Sequence, residues 1–181
     1  MTAQSTPHSR RRRLLLWSAL PVLLVLCFAA KLLSLGILAD RAAAGFSAGN
    51  APAVDAAARG LGFANVVEPH KAPFAAGDAA VAAEDYARAR TQFEQALSMV
   101  PANSGDGCII RVNLVLAIER LGDQRQQAGD PASAVLLFQE ALATAGQAPE
   151  ACLAGNPDTG GRLADAKERL EGKLGDRKST L

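Results

Sequence analysis

Residues 14–30 carry no charged side chain, Lys31 interrupts the run once, and Leu32 to Ala39 return to apolar character. At about 1.5 Å per residue, a helix over residues 14–39 is roughly 39 Å long. The hydrocarbon core of a bilayer is about 30 Å thick and needs about 20 residues. The pattern therefore predicts a transmembrane helix over 14–39, with Lys31 snorkelling to the far interface. Beyond it the apolar period becomes helical. Ile109, Val112, Val115, Leu116, Ile118 and Leu121 line one face of a helix running from about Cys108 to Gln127. Leu163, Ala166, Leu170 and Leu174 line another, from Arg162 to Leu174, while Asp165, Lys167, Glu168, Arg169 and Lys173 occupy its other faces. No stretch alternates with period two in β-branched residues, so no substantial strand is expected.

A repeat is superimposed on this pattern. Gly77 is followed by Tyr86, Ala89, Phe93, Ala96 and Pro101; Gly122 is followed at the same first four intervals by Pro131, Ala134, Phe138 and Ala141. Glu84-Asp85 and Gly129-Asp130 stand immediately before the second helix of each copy. A small residue in the first helix lets the antiparallel second helix approach, and the aromatic fills the groove between neighbours. Asp or Pro then starts the second helix.

These residues resemble the tetratricopeptide repeat, whose second helix carries Ala-x3-Phe, here Ala89/Phe93 and Ala134/Phe138. The sequence departs from that pattern in lacking the early aromatic of the first helix in both copies and the closing proline in the second. An ordinary pair of helical hairpins with coincident spacing is the rival reading. A degenerate third copy over 40–64, turning at Gly49-Asn50-Ala51-Pro52, is one reading of that segment. An all-α chain is expected: a basic tail over 1–13 and the transmembrane helix over 14–39, followed, as the resemblance implies, by a short solenoid of antiparallel helix pairs. One repeat is expected over 65–103, and a second with an extended first helix over 104–147. A loop over 148–160, a capping helix over 161–175 and a tail over 176–181 complete it.

Composition and charge decide the compartment. Arg10 to Arg13 stand directly before the apolar run. By the positive-inside rule the N-terminus is expected in the cytoplasm and everything after about residue 40 outside it, as a single-pass membrane protein. A cleaved signal peptide shares the basic-then-apolar order, but its apolar part is shorter, and the candidate cleavage site Ala42-Ala43-Ala44 stands well past the uncharged run. Leu24-Val25-Leu26 before Cys27 argues against a lipoprotein signal, and Arg13 stands where a twin-arginine signal prefers an aromatic. The net charge of +1 draws four positive charges from the first 13 residues, so the remainder is mildly acidic and offers no nucleic-acid surface.

Two cysteines fit an oxidising compartment. The long helix and its antiparallel partner return Cys152 to the end of the hairpin where Cys108 starts, so a Cys108–Cys152 disulfide is expected; two unpaired thiols are the alternative. Cys27 falls inside the apolar span.

Catalytic constellations are not found. His8 and His70 fall in different compartments on this topology, and His70 has no second ligand at zinc spacing. Gly45-Phe46-Ser47-Ala48-Gly49 echoes a nucleophile elbow without its flanking strand. No cofactor, metal or catalytic residue is expected, and the chain is not expected to be an enzyme. The tetratricopeptide resemblance implies a concave partner-binding groove. Counted from the repeat glycines, it would be lined by Lys71, Phe74, Asp78 and Val81, then by Leu116, Glu119, Asp123 and Gln126, with Arg111 and Asn113 joining from the extended turn. Plain solvent exposure is the alternative for each. The anchored layout, with Asn65-Val66-Val67-Glu68-Pro69 before the first repeat, is similar to bacterial repeat proteins that accompany von Willebrand factor A-type membrane proteins and a MoxR-type ATPase. That resemblance implies an extracytoplasmic scaffold or adaptor with a peptide or membrane-protein partner, such as a von Willebrand factor A-type protein. Its membrane lipid contacts would come from residues 14–39, and no nucleic acid is expected. A cell-envelope hydrolase with an unrecognised site and a spacer or oligomerisation module are the competing functions.

Overall fold

The computed structural model describes residues 7–63, 65–154 and 156–178. The extremities of the two expected tails, residues 1–6 and 179–181, lie outside the described residues. The described residues form helices α1 to α8 and no strand. The chain divides after Leu38 into two compact units.

The first unit belongs to α1 (Pro7–Ser47). Its stretch Trp17–Ser47 contains an 18-residue window of mean hydropathy 2.5 and is long and apolar enough to cross a membrane. Trp17, Leu20, Leu24, Leu26 and Leu33 are all exposed, as suits a helix whose surroundings are themselves apolar. Pro21 lies inside this helix, a position that membrane helices tolerate.

The second unit contains the last turns of α1 and seven further helices: α2 (Ala51–Gly62), α3 (Lys71–Ala82), α4 (Tyr86–Ser98), α5 (Gly105–Gln127), α6 (Pro131–Gly146), α7 (Glu150–Leu153) and α8 (Pro157–Lys178). They pack in a zigzag, α2 on α3, α3 on α4, α4 on α5, α5 on α6 and α6 on α8, with α8 also lying against α5. Three of the reversals are the same turn. The N–H groups of Asn50, Asp85 and Asp130 each donate to the carbonyl five residues back, on Gly45, Ala80 and Arg125, at 2.9 Å in every case. The residue before each, Gly49, Glu84 or Gly129, has a positive φ of 65°, 57° or 79°. This is the Schellman ending, in which a left-handed residue lets the final carbonyls find donors. The Asn50, Asp85 and Asp130 side chains then accept from the N–H of Ala53, Arg88 and Ser133, each at 3.1 Å, and cap the next helix. Glu84 occupies the left-handed region without glycine's freedom, at a cost of about 1–2 kcal/mol.

The repeat spacing has a packing counterpart. Phe93 and Phe138 are fully buried, and each ring lies directly over its glycine. A Cβ at Gly77 would come within 2.5 Å of the Phe93 ring, and one at Gly122 within 2.5 Å of Phe138. In the hairpin of α1 and α2 the close approach is instead between Gly45 and Val54, where a Cβ would meet the valine methyl at 3.1 Å.

Cys108, in the first turn of α5, and Cys152, in α7, stand at disulfide distance with a Cα–Cα separation of 5.2 Å. The segment 148–160, expected as loop, contains α7 and the first turn of α8. Asn156 accepts from Thr159 N–H at 3.3 Å, Pro157 supplies the preset first helical φ, and the Thr159 hydroxyl donates to the Cys152 carbonyl at 2.9 Å. A side chain at Gly160 would collide with the Leu153 carbonyl, so the close crossing of α7 and α8 requires glycine there.

Candidate functional site

A pocket of about 230 Å³ opens in the second unit among α1, α2, α3 and α5. Its wall is chiefly apolar. Ala39, Ala42 and Ala43 come from the last turns of α1, Leu61 from α2, Phe74 and Ala75 from α3, and Ile109 and Ile110 from α5. The alanines leave the space, and Phe74 is held in place by its tilted contact with Phe93, ring centroids 5.7 Å apart.

The polar groups are His70, Lys71, Asp78 and Asp106. Three of these have partners. His70 Nε2 lies 3.2 Å from Asp106 Oδ2, an ion pair when the imidazole is protonated. Lys71 Nζ lies 2.7 Å from Glu68 Oε2, and Glu68 is itself positioned by Asn65, whose amide donates to the Glu68 carbonyl at 2.7 Å. Asp78 differs. Among the described residues none donates a hydrogen bond to it or forms an ion pair with it. Burial without compensation pushes its carboxyl up to about 7, because the charged form loses hydration and gains nothing in return.

The groove residues expected from the sequence separate into two groups. Lys71, Phe74 and Asp78 come together in the pocket. The others do not join them. Val81 and Leu116 are partly buried and pack against the core. Arg111 is buried, and its guanidinium donates to the Thr144 carbonyl at 3.2 Å, in the last turn of α6, where the helix dipole favours a cation. Burial lowers the Arg111 pKa. Asn113 is half-buried on α5, and Gln126 is exposed near that helix's end.

Glu119 and Asp123 are engaged by the last helix. Arg169 donates to both Glu119 oxygens, at 3.3 and 2.9 Å. Lys173 Nζ lies 2.9 Å from Glu119, 2.6 Å from Asp123 and 5.0 Å from the centre of the Phe138 ring. Burial raises the Glu119 pKa, but the hydrogen bonds and charges of Arg169 and Lys173 outweigh it and the net displacement is downward. These two carboxylates thus hold α8 to α5 and are not open to a partner.

Sequence reasoning missed the alanines of α1, Leu61, His70, Asp106, Ile109 and Ile110. Alignment on the repeat glycines hides them, because α5 begins about three turns earlier relative to its glycine than α3 does. His70 faces Asp106, so the start of α3 lies beside the start of α5, and the extra turns of α5 form the pocket wall. The described residues contain no cluster of three or more His, Cys, Asp or Glu side chains suited to a metal ion. Compared with protein-family models, with curated proteins and with solved structures, the chain matches none.

Proposed function

We propose that this protein is a membrane-anchored, extracytoplasmic scaffold or adaptor that binds a partner protein in a tetratricopeptide-like concave groove. The observation that carries this reading is the origin of the pocket: the first helix of each of three hairpins closed by the same turn, α1, α3 and α5, contributes to its wall. Stacked hairpins create such a shared surface because each repeat contributes the same face. The pocket is an apolar wall with a few fixed polar groups, and it carries no hydroxyl or thiol to serve as a nucleophile. That composition favours binding over hydrolysis. The arginine block before the apolar helix supports an outward-facing second unit, and the anchor makes a membrane protein, such as one of the von Willebrand factor A type, a suitable partner.

The test is affinity capture with the solubilised full-length protein. Lys71→Glu and Ile109→Glu should reduce recovery of the co-purifying chain, while Gln139→Lys, at an exposed position on α6, should not. Arg90 is unsuitable as a control because it bridges Glu94 at 2.9 Å and Glu140 on α6 at 2.7 Å. Capture at two ionic strengths separates charge steering from contact. Equal recovery with every variant refutes groove binding.

A further inference from the structure

Resting on the scaffold reading, we propose that the pocket receives a single lysine or arginine side chain of the partner protein, its aliphatic stem along the apolar wall and its cationic head at Asp78. Size is the first argument. At about 230 Å³ the pocket is smaller than the roughly 300–1,000 Å³ of sites for drug-sized ligands. It is on the scale of one long side chain.

Lining is the second argument. Ala42, Leu61, Phe74 and Ile109 offer apolar surface, while Asp78 offers a bare carboxylate. Lysine and arginine are built to match, with an apolar stem and a charged tip.

The fold carries a second copy of this arrangement. Asp78 follows Gly77, the glycine that seats Phe93; Asp123 follows Gly122, the glycine that seats Phe138. The two aspartates are equivalent positions of successive hairpins. Asp123 already has its cation, the Lys173 ammonium at 2.6 Å. Asp78 has none. The basic side chains that share the pocket have partners of their own, since Lys71 is held by Glu68 and His70 faces Asp106. Leaving a half-buried carboxylate bare is unfavourable, and its raised pKa of about 7 reports that. A partner's ammonium or guanidinium reverses this by supplying what Lys173 supplies one repeat later.

The experiment uses the full-length protein in detergent micelles and an acetylated, amidated peptide Ala-Ala-Leu-Lys-Leu-Ala-Ala. The same peptide with glutamine for lysine, and n-butylamine, serve as comparisons. The lysine peptide should bind the wild type at least about tenfold more tightly than the glutamine peptide, the scale of a charged pair in a desolvated site. Asp78→Asn, which is nearly isosteric, should abolish that difference. Equal binding of the two peptides, binding of neither, or a difference that survives Asp78→Asn overturns the proposal. So does n-butylamine binding as tightly as the lysine peptide, which would make the site one for free amines. A photo-cross-linking residue at Ile109, 41 % exposed, then separates this proposal from the scaffold reading in the native membrane. Adducts beside a partner's lysine or arginine, lost in Asp78→Asn, support both. Protein adducts with no basic residue nearby sink the receptor and leave the scaffold. No protein adduct sinks both.

Discussion

Gly122→Ala tests whether the glycine–phenylalanine contact holds the second repeat hairpin together. A Cβ at Gly122 would lie 2.5, 2.8 and 3.2 Å from Cε1, Cδ1 and Cζ of Phe138. Carbon atoms rest at about 3.5–4.0 Å, so the ring must retreat by about 1 Å. It has little room: Phe138 is 0 % exposed, and the Lys173 ammonium sits 5.0 Å from the ring centre. Overpacking of this kind costs about 1–3 kcal/mol. Alanine over glycine in a helix interior returns about 1 kcal/mol. The expected net loss is therefore up to about 2 kcal/mol. Phe138→Ala alone should lose about 3–5 kcal/mol through the cavity it leaves. In that background the clash is gone, and Gly122→Ala should become neutral or stabilising. The double-mutant cycle then shows a coupling of about 2 kcal/mol between residues in direct contact. Denaturant unfolding of the full-length protein in micelles, followed by far-ultraviolet circular dichroism, measures all four species. Gly146→Ala, where a Cβ meets nothing within 4 Å, is the control. A Gly122→Ala protein more stable than the wild type, or additive behaviour in the cycle, refutes the reasoning. Gly77→Ala against Phe93 should behave the same way.

Peptide mapping without reductant should recover Cys108 joined to Cys152 with Cys27 free, and Cys152→Ser should lose up to about 4 kcal/mol in the chain-entropy account. Finding both as alkylated thiols in oxidised material refutes the bond. The Asp78 carboxyl is raised from 3.8 to about 7, so between those pH values the native state holds a proton that the unfolded chain has lost. Its contribution to stability is therefore complete below about pH 4, falls as pH rises towards 7 and is constant above, by at most about 4 kcal/mol at about 1.4 kcal/mol per pKa unit. Asp78→Asn should remove this slope; an unchanged wild-type slope in the variant refutes the assignment.

The local features of this protein are legible in the residue string. The apolar run announces the long first helix, and the Gly-Asn, Glu-Asp and Gly-Asp pairs announce the three turns, because a left-handed residue and a capping side chain act within a few residues of each other. The Gly77/Phe93 and Gly122/Phe138 pairs are legible for a related reason: they lie within single hairpins, where a short turn sets the register. The Cys108–Cys152 pairing follows in the same way from counting out and back along the hairpin of α5 and α6.

What the string leaves open is the register between hairpins. Of the groove residues expected on α3, Lys71, Phe74 and Asp78 line one pocket while Val81 packs against the core, and those assigned to α5 do not line that pocket. Glycine spacing describes how each hairpin closes, not how far α5 slides along α3. The His70–Asp106 contact shows that displacement, the Glu119–Arg169–Lys173 contacts place α8 against α5, and both join residues far apart in the chain. Only the packed arrangement decides that α8 neutralises Glu119 and Asp123 while Asp78 stays bare. Helix periodicity assigns a carboxylate to a face, but its charge state depends on which neighbouring helix brings a cation within a few ångströms and how much water the packing removes.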